Sequence, residues 1–276
     1  MLGTQVLNAM SDRADDTPLG EVTRTWFGGY LERVQGIVER SRHLVRSGLD
    51  LLRSIEIQVD SRRHIVTASL WARCLEHYEA VIVLAGKGLN VPAEVALRAL
   101  IEVLLTLAAV VKDNDVLESY IKEDFVHRRN LTRKLRQVQD PAFARHVDPA
   151  LEAELDRMIQ ETGARKLTLE FLAHKADMIE WYLIVYPLLS VAAHTKVRDL
   201  ERYLTTKNAE LLGFSFKRCD AELMGTFTTA GLAFILASDQ VEAVFGRGFG
   251  EDRKVFFDYF LDLGRRVAEA HKEEGV

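Results

Sequence analysis

Residues 91–112, VPAEVALRALIEVLLTLAAVVK, constrain the fold more than any other part of the chain. They read as a long apolar helix with three internal charges, Glu94, Arg98 and Glu102, each four residues from the next. Side chains four apart share a helix face, so the three form one polar stripe on an otherwise hydrophobic rod. An unpaired ion is costly to desolvate, so the stripe has to meet partners from another element. A rod of this kind belongs at the centre of a helical bundle.

The flanking sequence supplies its neighbours. Over 21–58, Tyr30, Val34, Ile37, Leu44, Leu51 and Ile55 keep a three-four spacing, with the small Ser41 and Gly48 in the same series. That predicts a long amphipathic N-terminal helix whose narrow seam suits antiparallel packing. A second, mostly apolar helix over 61–85 stops in GKGLNVP. There Gly86 or Gly88 suits a left-handed C-cap and Pro92 the first turn of the central helix. So short a connection makes an antiparallel helical hairpin. After KDND a further helix is expected over 116–138. Asp140-Pro141 and Asp148-Pro149 mark a loop, and a short helix follows to Thr162. Thr168 suits an N-cap, with Glu170 in the first turn near the positive dipole end. Asp177 and Glu180 have the spacing of a capping box. They open the segment DMIEWYLIVYPLLSVAAHTKVRDLERYL, in which Pro187 predicts a kink. The linker TTKNAELLGFSF has room for a short strand, and helices over 219–245 and from 251 onward complete the chain.

The expected fold is therefore all-α: a single-domain antiparallel helical bundle over 20–276, behind a flexible arm at 1–19. A chain of 276 residues is ample for one sizeable core, and no repeat or composition shift marks a boundary. A net charge of −5 argues against bulk attraction to nucleic acid, although a local patch can still bind it. The N-terminus lacks the positive start and continuous apolar core of a signal peptide. Only residues 103–111 of the central helix are uncharged, short of the roughly 20 that a membrane span needs. A soluble, cytoplasmic protein with no membrane partner is expected. Cys74 and Cys219 both fall in helical patterns and read as reduced, buried thiols.

The kinked segment has a polar stripe of its own: Tyr186, Ser190, His194 and Arg198, each four apart. Were it to face Glu94, Arg98 and Glu102, the bundle would hold acid, base and hydroxyl groups together. One reading is a small-molecule or nucleotide pocket, or a general acid-base site built on His194. The other is a satisfied polar core that fixes helix register. A second feature is basic: Arg128, Arg129, Arg133 and Lys134, with Lys122 and Arg136, face only Glu123 and Asp124. They either contact RNA phosphates or pair with the acidic DPALEAELD downstream. Arg73, Glu76 and His77 in the second helix read as ordinary core or surface pairing. There is no Gly-x-Ser-x-Gly elbow, no phosphate-binding glycine loop, and a single Asp124-x-x-His127 where a di-iron bundle would want paired motifs. No metal and no cofactor are expected.

GLNVPAEVALRALIE followed by WYLIVYPLLSVAAH, within residues 65–205, resembles an uncharacterised bacterial helical family of unknown function. It pairs an Arg-xxx-Glu helix with a Ser-xxx-His helix. Such proteins look related to the HEPN superfamily (higher eukaryotes and prokaryotes nucleotide-binding), whose helical bundles often serve as ribonuclease toxins or defence effectors. The resemblance implies a HEPN-like bundle that binds RNA or nucleotide, with Arg98, Glu102, Ser190 and His194 as candidate catalytic residues. The superfamily's nuclease signature, arginine followed four to six residues later by histidine, is met only by Arg265 and Arg266 with His271. Chance alone supplies that spacing in a chain so rich in arginine. The rival reading is a non-catalytic helical scaffold or protein-interaction module, and a protein partner or a homodimer stays open under both.

Overall fold

The computed structural model describes residues 18–138, 149–194, 197–207, 210–214 and 220–273. The expected arm therefore lies almost wholly outside the described residues, as do Asp140-Pro141, Cys219 and the side chain of Arg198. The elements are α1 (Pro18–Ser54), α2 (Arg62–Gly86), α3 (Asn90–Lys112), α4 (Asn114–Arg136), α5 (Pro149–Thr162) and α6 (Leu169–Lys175). A turn of π-helix (Trp181–Val185) then leads into α7 (Tyr186–Ala193). The short α8 (Val197–Leu200) is followed by a 3-10 turn (Glu201–Tyr203), the strands β1 (Leu204–Lys207) and β2 (Glu210–Phe214), and helices α9 (Asp220–Phe245) and α10 (Asp252–Glu273). The fold is all-α apart from that one hairpin. Among the described residues, no helix is long and apolar enough to cross a membrane.

The charged rod is central, as its composition requires. α3 packs most extensively on α2 and α9, and carries α6 and α7 on its remaining side. Leu97, Leu100, Ile101, Leu104 and Leu107 are all but inaccessible. Full burial of each such side chain stabilises by about 1.5–3 kcal/mol before entropy is set against it. The narrow seam of α1 is buried along its described length, from Val34 through Ser41 and Leu44 to Ile55. Gly48 is there for a close approach: a Cβ on it would lie 2.7 Å from the Phe234 ring. That ring is sandwiched between Trp71, at a centroid distance of 4.6 Å, and Tyr78, at 4.5 Å. The aromatic column locks α2 to α9. Cys74 is buried beside it, and burial pushes its thiol well above the ordinary range.

Helix boundaries follow local chemistry. Ser61 caps α2 by accepting from the His64 amide, and Asp113 caps α4 by accepting from Asp115 and Val116. Thr168 caps α6 through the Phe171 amide. Gly88 takes the left-handed conformation (φ 66°) that lets the Leu89 amide reach back to Leu84, turning the chain into α3.

Asp177 corrects the sequence reading. It adopts φ 55° and ends α6 rather than capping the next helix, because the Met178 amide returns to the Ala173 carbonyl across it. Its carboxylate takes Lys112 instead, at 3.1 Å. The irregularity expected at Pro187 is the π-helical turn, in which the Tyr186 amide reaches back five residues to Trp181. Proline supplies no N–H to the ladder, and a widened turn just before it relieves the clash of its ring with the preceding carbonyls. The helix also stops sooner than expected. His194 leaves helical geometry (φ −109°, ψ 9°), so Arg198 belongs to the separate α8 and does not continue the stripe of Tyr186 and Ser190.

The face of this helix turned toward the bundle buries Leu189 and Ala192 and half-buries Trp181, Tyr182 and Val185. Its other face is also apolar but uncovered: Leu183 and Ile184 are each 61% exposed, and Leu188 71%. Val197 and Leu200 extend the exposure along α8. In the hairpin Leu204 pairs with Phe214, and Leu212 sits where the register shifts; all three are exposed.

Candidate functional site

α3 and α7 bring the two predicted polar stripes together, but through Tyr186 rather than through His194, on which the acid-base reading was built. The Tyr186 hydroxyl accepts from the Arg98 guanidinium at 2.5 Å and donates to a Glu102 carboxylate oxygen at 3.0 Å. Arg98 and Glu102, four apart on α3, are themselves 3.1 Å apart. The guanidinium also stacks over the Tyr186 ring, 4.8 Å from its centroid. The three groups bond one another, although the buried Arg98 Nε finds no acceptor among the described residues.

Glu94 takes a different direction. It accepts from Arg202 of the 3-10 turn at 3.2 Å and from the Asn90 amide at 2.9 Å. Asn90 also donates to Glu222 of α9 at 2.8 Å and accepts from Thr226. The stripe on α3 therefore serves two networks. One ties α3 to α7 and the other ties it to α9 and the approach to the hairpin. Arg202 and Glu222 were not singled out from the sequence, since their partners lie more than a hundred residues away, whereas Asn90 stands four residues before Glu94 and extends the same stripe.

Ser190 and His194 do not join Arg98 and Glu102. The Ser190 hydroxyl donates to the Tyr186 carbonyl one turn back, at 2.8 Å, a local bond common for serine within helices. His194 is exposed, and its backbone amide, not its imidazole, bonds to Ser190. Both line an open groove of about 360 Å³ with Tyr182, Leu183, Tyr186, Pro187 and Val191. The rings of Tyr182 and Tyr186 stack in its wall, with centroids 5.7 Å apart.

Behind the ion pair, His77 of α2 feels the Glu102 charge. Its imidazole is held below the ordinary histidine range, first by burial and next by repulsion from Arg73, with Glu76 and Glu102 pulling the other way. Among the described residues, no group of His, Cys, Asp and Glu is disposed to hold a metal ion.

The basic face of α4 meets the acidic segment downstream. Arg133 bonds Glu152 at 3.0 Å and Asp156 at 2.9 Å, Arg129 reaches Asp156 at 3.3 Å, and Arg136 reaches Glu152 at 2.6 Å. Arg128 lies 3.8 Å from Asp124 on its own helix, and Lys134 faces solvent. Most of the excess positive charge is spent inside the molecule, clamping α4 to α5.

A bundle with this charged central helix and this Arg98–Tyr186–Glu102 contact belongs to the family of unknown function DUF5677, which matches residues 64–211, just over half of the chain. The match runs from the start of α2 through the polar networks and the exposed outer face into the hairpin. No curated protein and no solved structure matches the chain.

Proposed function

We propose that this protein is a non-catalytic helical interaction module. The Arg98–Tyr186–Glu102 contact is its structural polar core, and the uncovered face of the kinked helix around Leu183, Ile184 and Leu188 is its working surface. The observation that carries this reading is the exposure of Leu183, Ile184 and Leu188 on a helix whose opposite face is already seated on α3. Scattered exposed leucines are ordinary, but a contiguous apolar stripe marks a contact surface. The polar groups support the same conclusion. Arg98 and Glu102 bond each other and Tyr186, and Ser190 bonds its own helix, which suits register-setting better than turnover.

A photoreactive phenylalanine analogue placed at Leu188 tests the reading in expressing cells. A covalent adduct to protein is the expected product. Absence of any protein adduct overturns it.

One observation favours a second reading, binding of single-stranded RNA or a nucleotide by a HEPN-like module that acts as a defence effector or toxin. The groove presents two stacked tyrosine rings and the free imidazole of His194, and bases stack on aromatic surfaces without regard to sequence. Fluorescence anisotropy with a labelled oligoribonucleotide tests it. Binding lost in both Tyr182→Ala and His194→Ala supports it, and no binding at low salt removes it.

A further inference from the structure

We propose that the cleft between the start of α2, the α3–α4 corner and the end of α9 binds a small organic oxyanion with an apolar body. None of the residues that line it belongs to the kinked helix, so the site is separate from the interaction surface. Its volume is about 790 Å³, against about 360 Å³ for the groove beside Tyr186, and lies in the range of small-molecule sites.

The lining divides by polarity. Val111, Leu117, Ala243 and Val244 supply apolar surface from three helices. With them stand the cations Arg62, Arg63 and Lys112, and the acids Asp60 and Glu118. A chain with a net charge of −5 therefore carries a local excess of positive charge here. What that excess can hold depends on the hydrogen bonds already made, because they fix which atoms are left to donate.

Arg62 gives one guanidinium nitrogen to Glu118 at 2.7 Å, and nothing among the described residues accepts from its other two. The pair is exposed, 66% at Arg62 and 31% at Glu118, so it holds the guanidinium only weakly. Arg63 donates to the Val111 carbonyl and, at 3.5 Å, to the Asn114 Oδ1, which leaves the Asn114 amide N–H groups to donate. The His64 Nδ1 accepts from the Gln58 amide at 3.3 Å, so its proton sits on Nε2 and is a donor too. Its ring is braced by Phe245, with centroids 4.8 Å apart. Lys112 is engaged by the Ala176 carbonyl and Asp177, and adds charge. Guanidinium, amide and imidazole donors thus share one cleft with an apolar surface. An oxyanion accepts from several such donors at once through charge-assisted bonds, which a cation cannot do.

The probe is anilinonaphthalene sulfonate, a fluorescent oxyanion on an apolar body, titrated into the full chain and its variants. Saturable binding of one molecule per chain is expected. Arg62→Ala should weaken it about tenfold, the worth of one charge-assisted bond. Ala243→Trp, which fills the cleft from an exposed position, should weaken it at least as much. Glu118→Gln should tighten it, because Arg62 is released from a competing carboxylate. Leu188→Glu should leave it unchanged, which keeps this test apart from that of the interaction surface. The uncharged parent compound, phenylnaphthylamine, should bind about tenfold more weakly than the sulfonate. A loss of signal is decisive even where a variant folds poorly, since a loosened core binds more of this dye, and unchanged melting temperature secures the gain in Glu118→Gln. A wild-type chain that does not bind the sulfonate overturns the inference. So does binding that is indifferent to Arg62→Ala and Ala243→Trp, that fails to tighten in Glu118→Gln, that is lost in Leu188→Glu, or that the uncharged parent matches.

Discussion

The Tyr186 hydroxyl stands 2.5 Å from an Arg98 nitrogen whose guanidinium also covers the Tyr186 ring, so one side chain receives the cation twice, at its edge and on its face. The same hydroxyl passes its proton toward Glu102. Tyr186→Phe keeps the ring contact and removes both hydroxyl bonds. It should cost about 1–2 kcal/mol, read as a lower urea midpoint at constant slope. An unchanged midpoint would mean that the hydroxyl is not engaged.

Arg98→Ala should cost more than Tyr186→Phe, because stacking and hydrogen bonding are lost together. Glu102 is 41% exposed, however, so water can solvate the carboxylate left behind. The loss should be about 2 kcal/mol rather than the larger penalty of a sealed, orphaned charge. Arg98→Lys should fall between wild type and alanine, since an ammonium can reach one acceptor but cannot fork between two. The three midpoints, measured together, fix the order.

His194→Ala should leave the melting temperature nearly unchanged. The imidazole is exposed and makes no bond to another described residue, and such surface changes usually stay within about 0.5 kcal/mol. Purified wild type should show no RNA cleavage for the variant to lose. Cleavage that disappears in a stably folded His194→Ala protein would sink the non-catalytic reading.

Two glycine substitutions should move stability in opposite directions. A Cβ on Gly231 would lie 2.6 Å from the fully buried Phe260 ring, so Gly231→Ala should destabilise by about 1–3 kcal/mol through overpacking. Nothing lies within 4 Å of a Cβ on Gly36, inside α1. Gly36→Ala should therefore stabilise by about 0.5–1 kcal/mol through reduced backbone entropy of the unfolded chain. Thermal melts of the pair, run side by side, check both signs.

His77 sets an acid-side dependence. Its folded-state pKa lies below the ordinary 6.5, so as pH falls the unfolded chain takes up this proton first. Its contribution is fully present above 6.5, falls as pH drops below that value, and levels off once the folded form also protonates. His77→Asn should flatten the part of the curve that lies below the ordinary histidine pKa of 6.5. Chemical denaturation at a series of pH values reads the slope, and an unaltered slope would place its source elsewhere.

The helices were legible because their signals are local. The seam of α1, the break at Gly88, the Thr168 cap and the apolar run of α3 each need only neighbours within a turn or two. The site was half legible. Four-residue spacing found Glu94, Arg98 and Glu102 on one stripe and put Tyr186 on the facing one, yet could not say which tyrosine atom would meet which charge. It could not foresee that Glu94 would turn to Arg202, because that depends on where a 3-10 turn more than a hundred residues later comes to rest. Asn90, four residues before Glu94, was within reach of the same spacing and was missed. Asp177 misled for a similar reason. Aspartate accepts amide protons as a cap and also tolerates the left-handed region, and only the position of Lys112 and the return of the Met178 amide chose between the two.

The π-helical turn at Trp181–Val185 also bears on how this segment can change over evolution. Such a turn holds one residue more than an α-helical turn, and one residue carries roughly 100° of rotation. Swapping one apolar side chain for another within the turn leaves that phase alone. Losing or gaining a single residue does not: either Trp181 and Tyr182 swing off the core, or Tyr186 swings off Arg98. The segment should therefore tolerate changes of spelling and resist changes of length, and its two faces, the seated one and the open one, are kept in step by count rather than by sequence.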